Sequence, residues 1–243
     1  GYSGREVDDP ELVHVQSYDS YVTDFARFVE TVVNPREEYR IVFAHSMGGA
    51  IAILALERYP QLFEAAVLSA PMCAMQTGKY PRFAARLLAE FCCLAGKGKC
   101  FATLAGQQGF SEAPQFEGSS CLSRERYDYM FQKRLLEEHY RTYGGSYAWV
   151  RAGFRASREL MRRENLAKIK VPVLLFAAGC DHMVDNGAIG RFAEETERTK
   201  LFSMPDSRHE IFNADERTRV KYYDEIFRFI KEEEVKDYEN KNE

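Results

Sequence analysis

Short apolar runs alternate with helical periodicities at both ends of the chain. Runs of strand length occupy residues 40–44, 65–70, 171–178 and 200–204. Segments with helical patterns occupy residues 17–33, 47–59, 188–198 and about 214–235, the last with apolar positions at 220, 223, 226, 227 and 230. Strands without polar positions are buried on both faces, so this alternation predicts an α/β fold, a mostly parallel sheet with helices on both sides.

The middle of the chain does not follow this alternation. Residues 72–169 are helical in pattern, punctuated by glycines in "GKGKC" and "YGGSY", and contain no convincing strand. We therefore predict a helical cap over residues 72–169, inserted between two strands of a split core. The core is predicted to consist of residues 1–71 and 170–236, and residues 237–243 to form a charged tail that is solvated or frayed.

Composition narrows the class of protein. Hydrophobic residues make up 45% of the 243 residues, enough to bury the core of one domain with a sizeable insertion. The chain has no apolar run of 18 residues, and its first 16 residues lack the basic and apolar regions of a signal peptide. The six cysteines have no regular spacing, which is typical of reduced thiols in a cytoplasmic protein. Zinc binding by Cys92, Cys93 and Cys100 is not favoured, because no CxxC or neighbouring histidine accompanies them.

A serine stands where a predicted strand meets a predicted helix, in "YRIVFAHSMGGAIAILALERYP". Ser46 is the centre of a small-x-Ser-x-small pentapeptide that runs from Ala44 to Gly48. A tight strand-to-helix turn of this kind lifts the serine hydroxyl above the sheet edge and directs the Met47 N–H toward a developing oxyanion. The alternative is that Ser46 only caps the helix.

A nucleophilic serine needs a histidine base and an acid that orients it, and in this architecture the acid precedes the histidine. Asp181 follows the strand at 171–178, and His209 follows the strand at 200–204, so both stand at the carboxyl ends of strands. Asp185 and Asp206 lie close by, but Asp181 follows its strand most directly. Each candidate also has a non-catalytic alternative: Asp181 could cap the following helix, and His209 could be an ordinary loop residue.

These stretches resemble a known family. "AHSMGGAIAILALERYPQLFEAAVLSAPM" resembles the elbow region of bacterial lysophospholipase L2 and its monoacylglycerol-lipase-like relatives among the α/β-hydrolases. "LLFAAGCDHMVDN" is similar to their acid loop, "SRHEIFNADERTR" to their histidine loop, and "SRERYDYMFQ" and "GGSYAWVRAGF" to the cap of the lysophospholipase L2 branch. The resemblance implies a serine hydrolase of lysophospholipids or monoacylglycerols that needs no cofactor, with Ser46 as nucleophile, Asp181 as acid and His209 as base.

Two features depart from the family pattern. Ala44 stands where such elbows usually have glycine. The first residues, "GYSGRE", resemble the end of a stretch that in the family follows several N-terminal strands, and only 45 residues precede Ser46. We therefore expect the chain to be N-terminally truncated, without the early strands and without the loop that supplies the second oxyanion donor.

Charge is distributed unevenly. The net charge is −4, yet residues 78–170 contain 17 Lys or Arg and 9 Asp or Glu, which leaves a basic cap of +8 and a remainder of −12. Basic amphipathic helices suit anionic membranes or phosphate headgroups, which favours lysophospholipids over neutral glycerides. We therefore expect peripheral contact between the cap and the inner face of a membrane. A nucleic-acid partner is not expected, because the cap contains no recognised nucleic-acid module.

Four arginines in the cap are spaced as one face of a helix: Arg151, Arg155, Arg158 and Arg162. The first three are candidate substrate-binding residues, as is His45, which borders the nucleophile and is expected to point away from it. The arginines could equally form a solvated surface. Since a fold does not fix a substrate, another carboxylesterase, a thioesterase, a peptidase or a catalytically impaired fragment stays open. The oligomeric state is not determined by the sequence.

Overall fold

The structure, a computed structural model, describes residues 6–33, 39–102 and 109–242. In chain order the elements are β1 (Leu12–Val13), α1 (Tyr18–Val32), β2 (Ile41–His45), α2 (Met47–Arg58), β3 (Ala65–Ser69), α3 (Arg82–Leu94), α4 (Arg124–Leu136), β4 (Gly144–Gly145), α5 (Tyr147–Leu160), α6 (Arg163–Leu166), β5 (Val173–Ala178), α7 (Asn186–Glu195), β6 (Thr199–Met204) and α8 (Glu216–Asn242). Short 3-10 turns occupy Glu138–Tyr140 and Ile211–Asn213.

A four-stranded parallel sheet has the order β2-β3-β5-β6. On β5, Val173 and Leu175 belong to one core and Leu174 and Phe176 to the other, and all four are fully buried. Residues from α1, α2 and α7 cover the first face, and residues of α8 cover the second. The predicted parallel α/β fold is confirmed, and burial on both faces explains why the central strands β3 and β5 are nearly all apolar, whereas the edge strand β6 has exposed positions at Lys200, Leu201 and Ser203.

The last helix differs from its prediction. The buried residues that α8 places against the sheet are Tyr222, Ile226 and Phe229. Val220 and Phe227, expected on the apolar face, are exposed. The spacing of three and four residues between 222, 226 and 229 follows the helical period, which decides the buried face. The helix also continues to Asn242 through the segment predicted to be a tail.

Between β3 and β5 the chain forms helices α3 to α6, of which α3 and α5 pack against each other. Two short strands, β1 and β4, were not predicted from the sequence: they pair in parallel, with Leu12 opposite Gly144 and Val13 opposite Gly145. Backbone groups alone make this pairing, and two glycines give no apolar pattern to predict it. The boundaries drawn between core and cap stay a prediction.

The start of α1 agrees with the sequence, since Ser17 is its N-cap and accepts a hydrogen bond from the Asp19 N–H at 3.2 Å. The sequence pattern Asn34-Pro35 directly after this helix is typical of a helix end, but both residues lie outside the described ones, as do residues 1–5 of the "GYSGRE" stretch. Across the described ranges, no helix has both the length and the apolar character required to traverse a bilayer.

Candidate active site

Ser46 connects β2 to α2 in a strained conformation. Its φ of 53° and ψ of −122° lie in the left-handed half of backbone space, which is unfavourable for a residue with a side chain. The turn is held by the Ser46 N–H, which donates to the Ser69 carbonyl at 3.1 Å, and by the Ser46 carbonyl, which accepts from the Met72 N–H at 2.8 Å. Although Ser46 occupies the N-cap position of α2, its side chain makes no capping hydrogen bond. Its hydroxyl is therefore available for another partner.

Close packing at this turn depends on a glycine that the pentapeptide does not include. A Cβ added to Gly49 would lie 2.5 Å from the Pro71 Cβ, whereas one added to Gly48 would meet nothing within 4 Å. Next to Pro71, Ala70 also adopts a positive φ, 42°, where the chain leaves β3. The sequence predicted a requirement for small residues two positions on either side of Ser46, at Ala44 and Gly48. The contact with Pro71 shifts it by one residue, because the neighbouring strand end determines which glycine is crowded.

His209 joins Ser46 to Asp181. The His209 Nε2 lies 2.7 Å from the Ser46 Oγ, and its Nδ1 lies 2.7 Å from the Asp181 Oδ2. Asp181 follows β5 and His209 follows β6, so parallel strands bring together residues 163 and 28 positions apart. His209 is 3% exposed and the Asp181 side chain 0% exposed. Water is therefore largely excluded from the hydrogen bond between them.

The surroundings of Asp181 keep it ionised. Burial by itself raises the pKa of this carboxyl, but the hydrogen bond and charge of His209 act in the opposite direction, as do N–H groups of Met183 at 2.8 Å and Val184 at 3.0 Å. The net effect is a lowered pKa. A carboxylate at this place accepts the His209 Nδ1–H and so leaves the Nε2 lone pair directed at the Ser46 hydroxyl.

The two neighbouring aspartates have other positions. Asp185 is the N-cap of α7, where its Oδ1 accepts from the Gly187 N–H at 2.8 Å, and it forms an ion pair with Arg82 at 3.1 Å. Asp206 is exposed. Of the three aspartates considered from the sequence, the structure brings only Asp181 to the histidine.

His45 lies beside the histidine rather than apart from the site. Its ring centroid is 4.6 Å from that of His209 and 5.0 Å from that of Phe212, and its Nδ1 lies 2.9 Å from the Ser69 carbonyl. Burial, followed by the proximity of His209, lowers the pKa of His45 to about 4. His45 is therefore neutral near pH 7 and packs against the His209 ring. Its contact with a substrate stays a prediction.

Trp149 connects the cap to the residue after the serine, a role that the sequence analysis did not foresee. Its indole N–H donates to the Met47 Sδ at 3.2 Å, while the backbone N–H of Met47 lies in the first turn of α2. Trp149 also lines a cavity of about 740 Å³ bounded by α3, α5 and the segment after β3. Most lining residues are apolar or aromatic, including Met75, Tyr80, Ala84, Leu88, Tyr147, Val150 and Phe154.

The cap arginines do not form one helix face. Helix α5 ends at Leu160, so Arg162 lies outside it and precedes α6 as its N-cap residue. The expectation of a four-arginine face was wrong here, because spacing alone does not show where a helix stops. Arg158 is exposed on α5.

The other two arginines hold α5 against α3. Arg155 forms an ion pair with Glu90 at 2.9 Å, and Arg151 lies 3.9 Å from the same carboxylate. Arg151 also donates to the Gln16 Oε1 at 3.0 Å. These contacts give both side chains a structural partner, and their contact with a headgroup stays a prediction.

Metal-site geometry is absent from the described part of the chain, in which no three His, Cys, Asp or Glu side chains are grouped to hold an ion. All six cysteines are free thiols.

A serine on a strained strand-to-helix turn, joined through histidine to a carboxylate at the carboxyl ends of parallel strands, is the arrangement of an α/β-hydrolase. Comparison of the sequence with known families agrees. The family model described as serine aminopeptidase, S33 (Hydrolase_4) matches residues 1–216, and the chain belongs to this α/β-hydrolase family.

Curated relatives confirm the resemblance to lysophospholipase L2. The chain is 31% identical over 195 residues to Lysophospholipase L2 of Escherichia coli K12, an alignment that covers 80% of this chain and 56% of the relative. It is 22% identical over 231 residues to Probable lysophospholipase L2 of Haemophilus influenzae, which covers 95% of this chain and 71% of that protein. The chain thus spans little more than half the length of the E. coli relative.

Solved structures share the fold. A monoacylglycerol lipase of Paleococcus ferrophilus superposes with a TM-score of 0.65 at 20% identity, covering 89% of this chain and 76% of the other. A soluble variant of monoglyceride lipase from Saccharomyces cerevisiae, in complex with a substrate analog, gives 0.66 at 15% identity, covering 90% and 71%. At these identities the similarity establishes the architecture alone.

Proposed function

We propose that the protein is a serine hydrolase that releases the single acyl chain of a lysophospholipid or a monoacylglycerol through an acyl-enzyme. The observation that carries this proposal is the hydrogen-bonded chain from Ser46 through His209 to Asp181, with 2.7 Å at each step. The lysophospholipase names of the curated relatives support the substrate class.

In the first step His209 acts as general base. Its Nε2 removes the Ser46 proton as the Oγ attacks the acyl carbonyl carbon, and the buried Asp181 carboxylate stabilises the imidazolium that forms. The lowered pKa of Asp181 fits this role, since the carboxylate must stay ionised beside a positive charge.

The oxyanion of the tetrahedral intermediate is held by the Met47 N–H at the N-terminus of α2. In α/β-hydrolases a second N–H donor comes from a loop other than the serine turn. Because one oxyanion donor is worth about 100- to 1000-fold in kcat, both groups are needed for full activity. His209 then protonates the leaving glycerol oxygen, and water hydrolyses the acyl-enzyme with the same residues in reversed roles.

The apolar cavity suits a single acyl chain. Its volume of about 740 Å³ falls in the range of about 300–1,000 Å³ that is usual for small-molecule sites. The wall of the cavity does not include Ser46 or His209, but Trp149 belongs both to this wall and to the contact with Met47, and so connects the cavity to the serine turn.

A peptidase is the second candidate, because the family description names a serine aminopeptidase. An aminopeptidase has to bind a substrate's α-ammonium group, for which a carboxylate is the natural partner. The described residues that line the cavity include Lys79 and no Asp or Glu. This lining favours an acyl chain over a charged amino terminus.

The function also includes peripheral contact of the basic cap with an anionic membrane on the cytoplasmic side. Single-chain lipids are found at such surfaces. A net charge of +8 over residues 78–170 favours binding of the cap to an anionic surface.

The test is release of fatty acid by protein expressed from the complete open reading frame. A lysophospholipid, a monoacylglycerol and an amino-acid anilide are offered in parallel, with Ser46→Ala as the blank. We expect release from the first two and none above the blank from the anilide. Faster release from the lysophospholipid that weakens as salt rises supports headgroup or membrane recognition, whereas cleavage of the anilide alone would replace the lipase assignment with a peptidase.

A further inference from the structure

The outer face of α3 carries a row of exposed apolar side chains. Phe83, Leu87, Phe91 and Leu94 follow one another at spacings of four, four and three residues, which places them on one helix face. We call these four residues the α3 stripe. Their exposed fractions are 68%, 58%, 68% and 84%. Isolated exposed apolar residues are common, but a continuous row of them marks an interaction surface.

Positive charge surrounds the α3 stripe. Residues 79–99 contain one acidic residue, Glu90, and five basic ones: Lys79, Arg82, Arg86, Lys97 and Lys99. Glu90 is engaged with Arg155 of α5, while Arg82 and Lys99 lie near Asp185 and Asp8. Arg86 and Lys97 are exposed and form no ion pair with any described residue. A surface that combines exposed apolar rows with unpaired cations fits a partner that is both apolar and anionic.

The opposite face of α3 lines the cavity. Ala84, Ala85, Leu88 and Ala89 contribute to its wall, and none of them belongs to the α3 stripe. Helix α3 therefore separates the cavity from the exterior, with apolar side chains on both sides. A partner bound to the outer face would lie one helix diameter, about 10 Å, from the cavity.

We propose that the α3 stripe docks onto an anionic lipid bilayer, with its four side chains among the acyl chains and with Arg86 and Lys97 against the phosphates. An amphipathic helix with basic flanks lies in the plane of such an interface. The proposal rests on the proposed function in one respect, that the cavity behind α3 receives a lipid. It assigns the membrane contact to α3 rather than to the α5 arginines, two of which are engaged with Glu90.

A second copy of the chain is a less suitable partner for this surface. A two-fold contact would place identical basic flanks opposite each other, and like charges brought together oppose association. The phosphates of an anionic bilayer instead complement Arg86 and Lys97 while the acyl chains receive the phenylalanines.

The experiment separates docking from catalysis. Protein from the complete open reading frame carries Ser46→Ala so that no lipid is consumed, and is sedimented with vesicles of phosphatidylcholine alone or mixed with phosphatidylglycerol. We expect binding to the anionic vesicles that weakens at high salt. Phe83→Ser with Phe91→Ser should weaken this binding at least tenfold, since burial of a phenylalanine contributes more than that factor. Arg86→Glu with Lys97→Glu should weaken it roughly fivefold or more for each residue changed.

Matched controls come from α8, which lies on the sheet. Phe227 is 65% exposed, close to the value for Phe91, so Phe227→Ser controls for removal of an exposed phenylalanine. Lys221→Glu with Lys231→Glu controls for the change in net charge. Both controls should bind vesicles like the parent. Equal binding by the Phe83/Phe91 variant and its parent overturns the proposal, as does a variant that changes the oligomeric state in light scattering without weakening vesicle binding.

A soluble short-chain ester distinguishes this proposal from the proposed function. With Ser46 restored, the Phe83/Phe91 variant should hydrolyse the ester at the parent rate but long-chain lysophospholipid in vesicles more slowly. An equal loss on both substrates would indicate damage to the fold and overturn the docking role. A parent without esterase activity would refute the proposed function, while the sedimentation assay still decides the docking.

Discussion

The carboxyl ends of the sheet strands, here called the sheet edge, differ from the cap in which side chains are buried. At the sheet edge Asp181 and His209 are buried, and each satisfies the other's hydrogen bond. In the cap, large apolar side chains of α3 are exposed, while Arg155 is held by Glu90. Burial of polar groups is favourable only where partners are fixed, and strand ends fix them through the backbone. The polar side chains after β5 and β6 are therefore fixed by their partners, whereas the outer side chains of α3 remain exposed.

The largest effect is expected at the sheet edge, from Asp181→Asn. An amide at this position no longer holds His209 in the tautomer that accepts the serine proton, so kcat should fall about 10⁴-fold. Asp185→Asn is the matched control, because Asp185 caps α7 and does not contact His209. It should leave kcat near the parent value and change stability by about 1 kcal/mol or less. Similar kinetic losses in the two variants, measured as fatty-acid release, would argue against the assigned acid.

Asp181 also differs from a second buried carboxyl, that of Glu57, which has no hydrogen bonds to the described residues to offset the cost of burying its charge. Glu57 is 4% exposed and its Oε1 has no hydrogen-bond partner in the structure. Burial chiefly, with Glu159 nearby, raises the pKa of Glu57 from 4.5 to about 9. Between these values the folded state keeps a proton that the unfolded state releases, so this group's contribution to stability decreases as pH rises from 4.5 to 9.

Glu57→Gln removes this pH dependence. At pH 8 the variant should be more stable than the parent by up to about 5 kcal/mol, and near pH 4.5 the two should be similar. Urea unfolding at both pH values measures the difference. Glu30→Gln, on the exposed surface of α1, should alter neither value. If the difference in stability between the Glu57→Gln variant and the parent is the same at both pH values, Glu57 is ionised in the folded protein.

A smaller effect, on stability, is expected from substitution of Gly49 at the serine turn, and the neighbouring Gly48 serves as the control. Gly49→Ala would force a Cβ into Pro71, and such overpacking typically costs about 1–3 kcal/mol. Gly48→Ala enters open space within a helix and should be neutral or stabilising by up to about 1 kcal/mol. Thermal unfolding of the two variants gives the comparison. Equal destabilisation would mean that the turn does not depend on the contact with Pro71.

The smallest effect is expected in the cap. Arg155 and Glu90 are partly exposed, so Arg155→Ala and Glu90→Gln should each lower the unfolding free energy by less than about 1 kcal/mol. The effect should decrease further as salt screens the pair. Rates of hydrolysis of lysophospholipid and of monoacylglycerol by these variants then test whether Arg155 contacts the headgroup. A loss specific to lysophospholipid in Arg155→Ala but not in Glu90→Gln would assign Arg155 to the headgroup.

Many features of the sheet edge were predictable because they depend on local order along the chain. Each short apolar run marked a strand of the parallel sheet, and in such a sheet the residues that follow the strands meet at the same end of the sheet. Asp181 and His209 were found by this rule. The rule could not show that Asp185 would cap α7, that His45 would pack beside His209, or that Gly49 would be the crowded glycine, since these depend on which element lies next to each residue.

What the sequence determined by itself is the sheet, the serine turn and the order of the candidate catalytic residues, because backbone periodicity and strand direction suffice for these. Only the tertiary structure determined which partners the charged side chains of the cap have. The same helical spacing is compatible with an arginine that pairs with a neighbouring helix and with one that faces solvent, as Arg155 and Arg158 show. Side-chain partners in packed helices come from distant parts of the chain, and spacing contains no information about them.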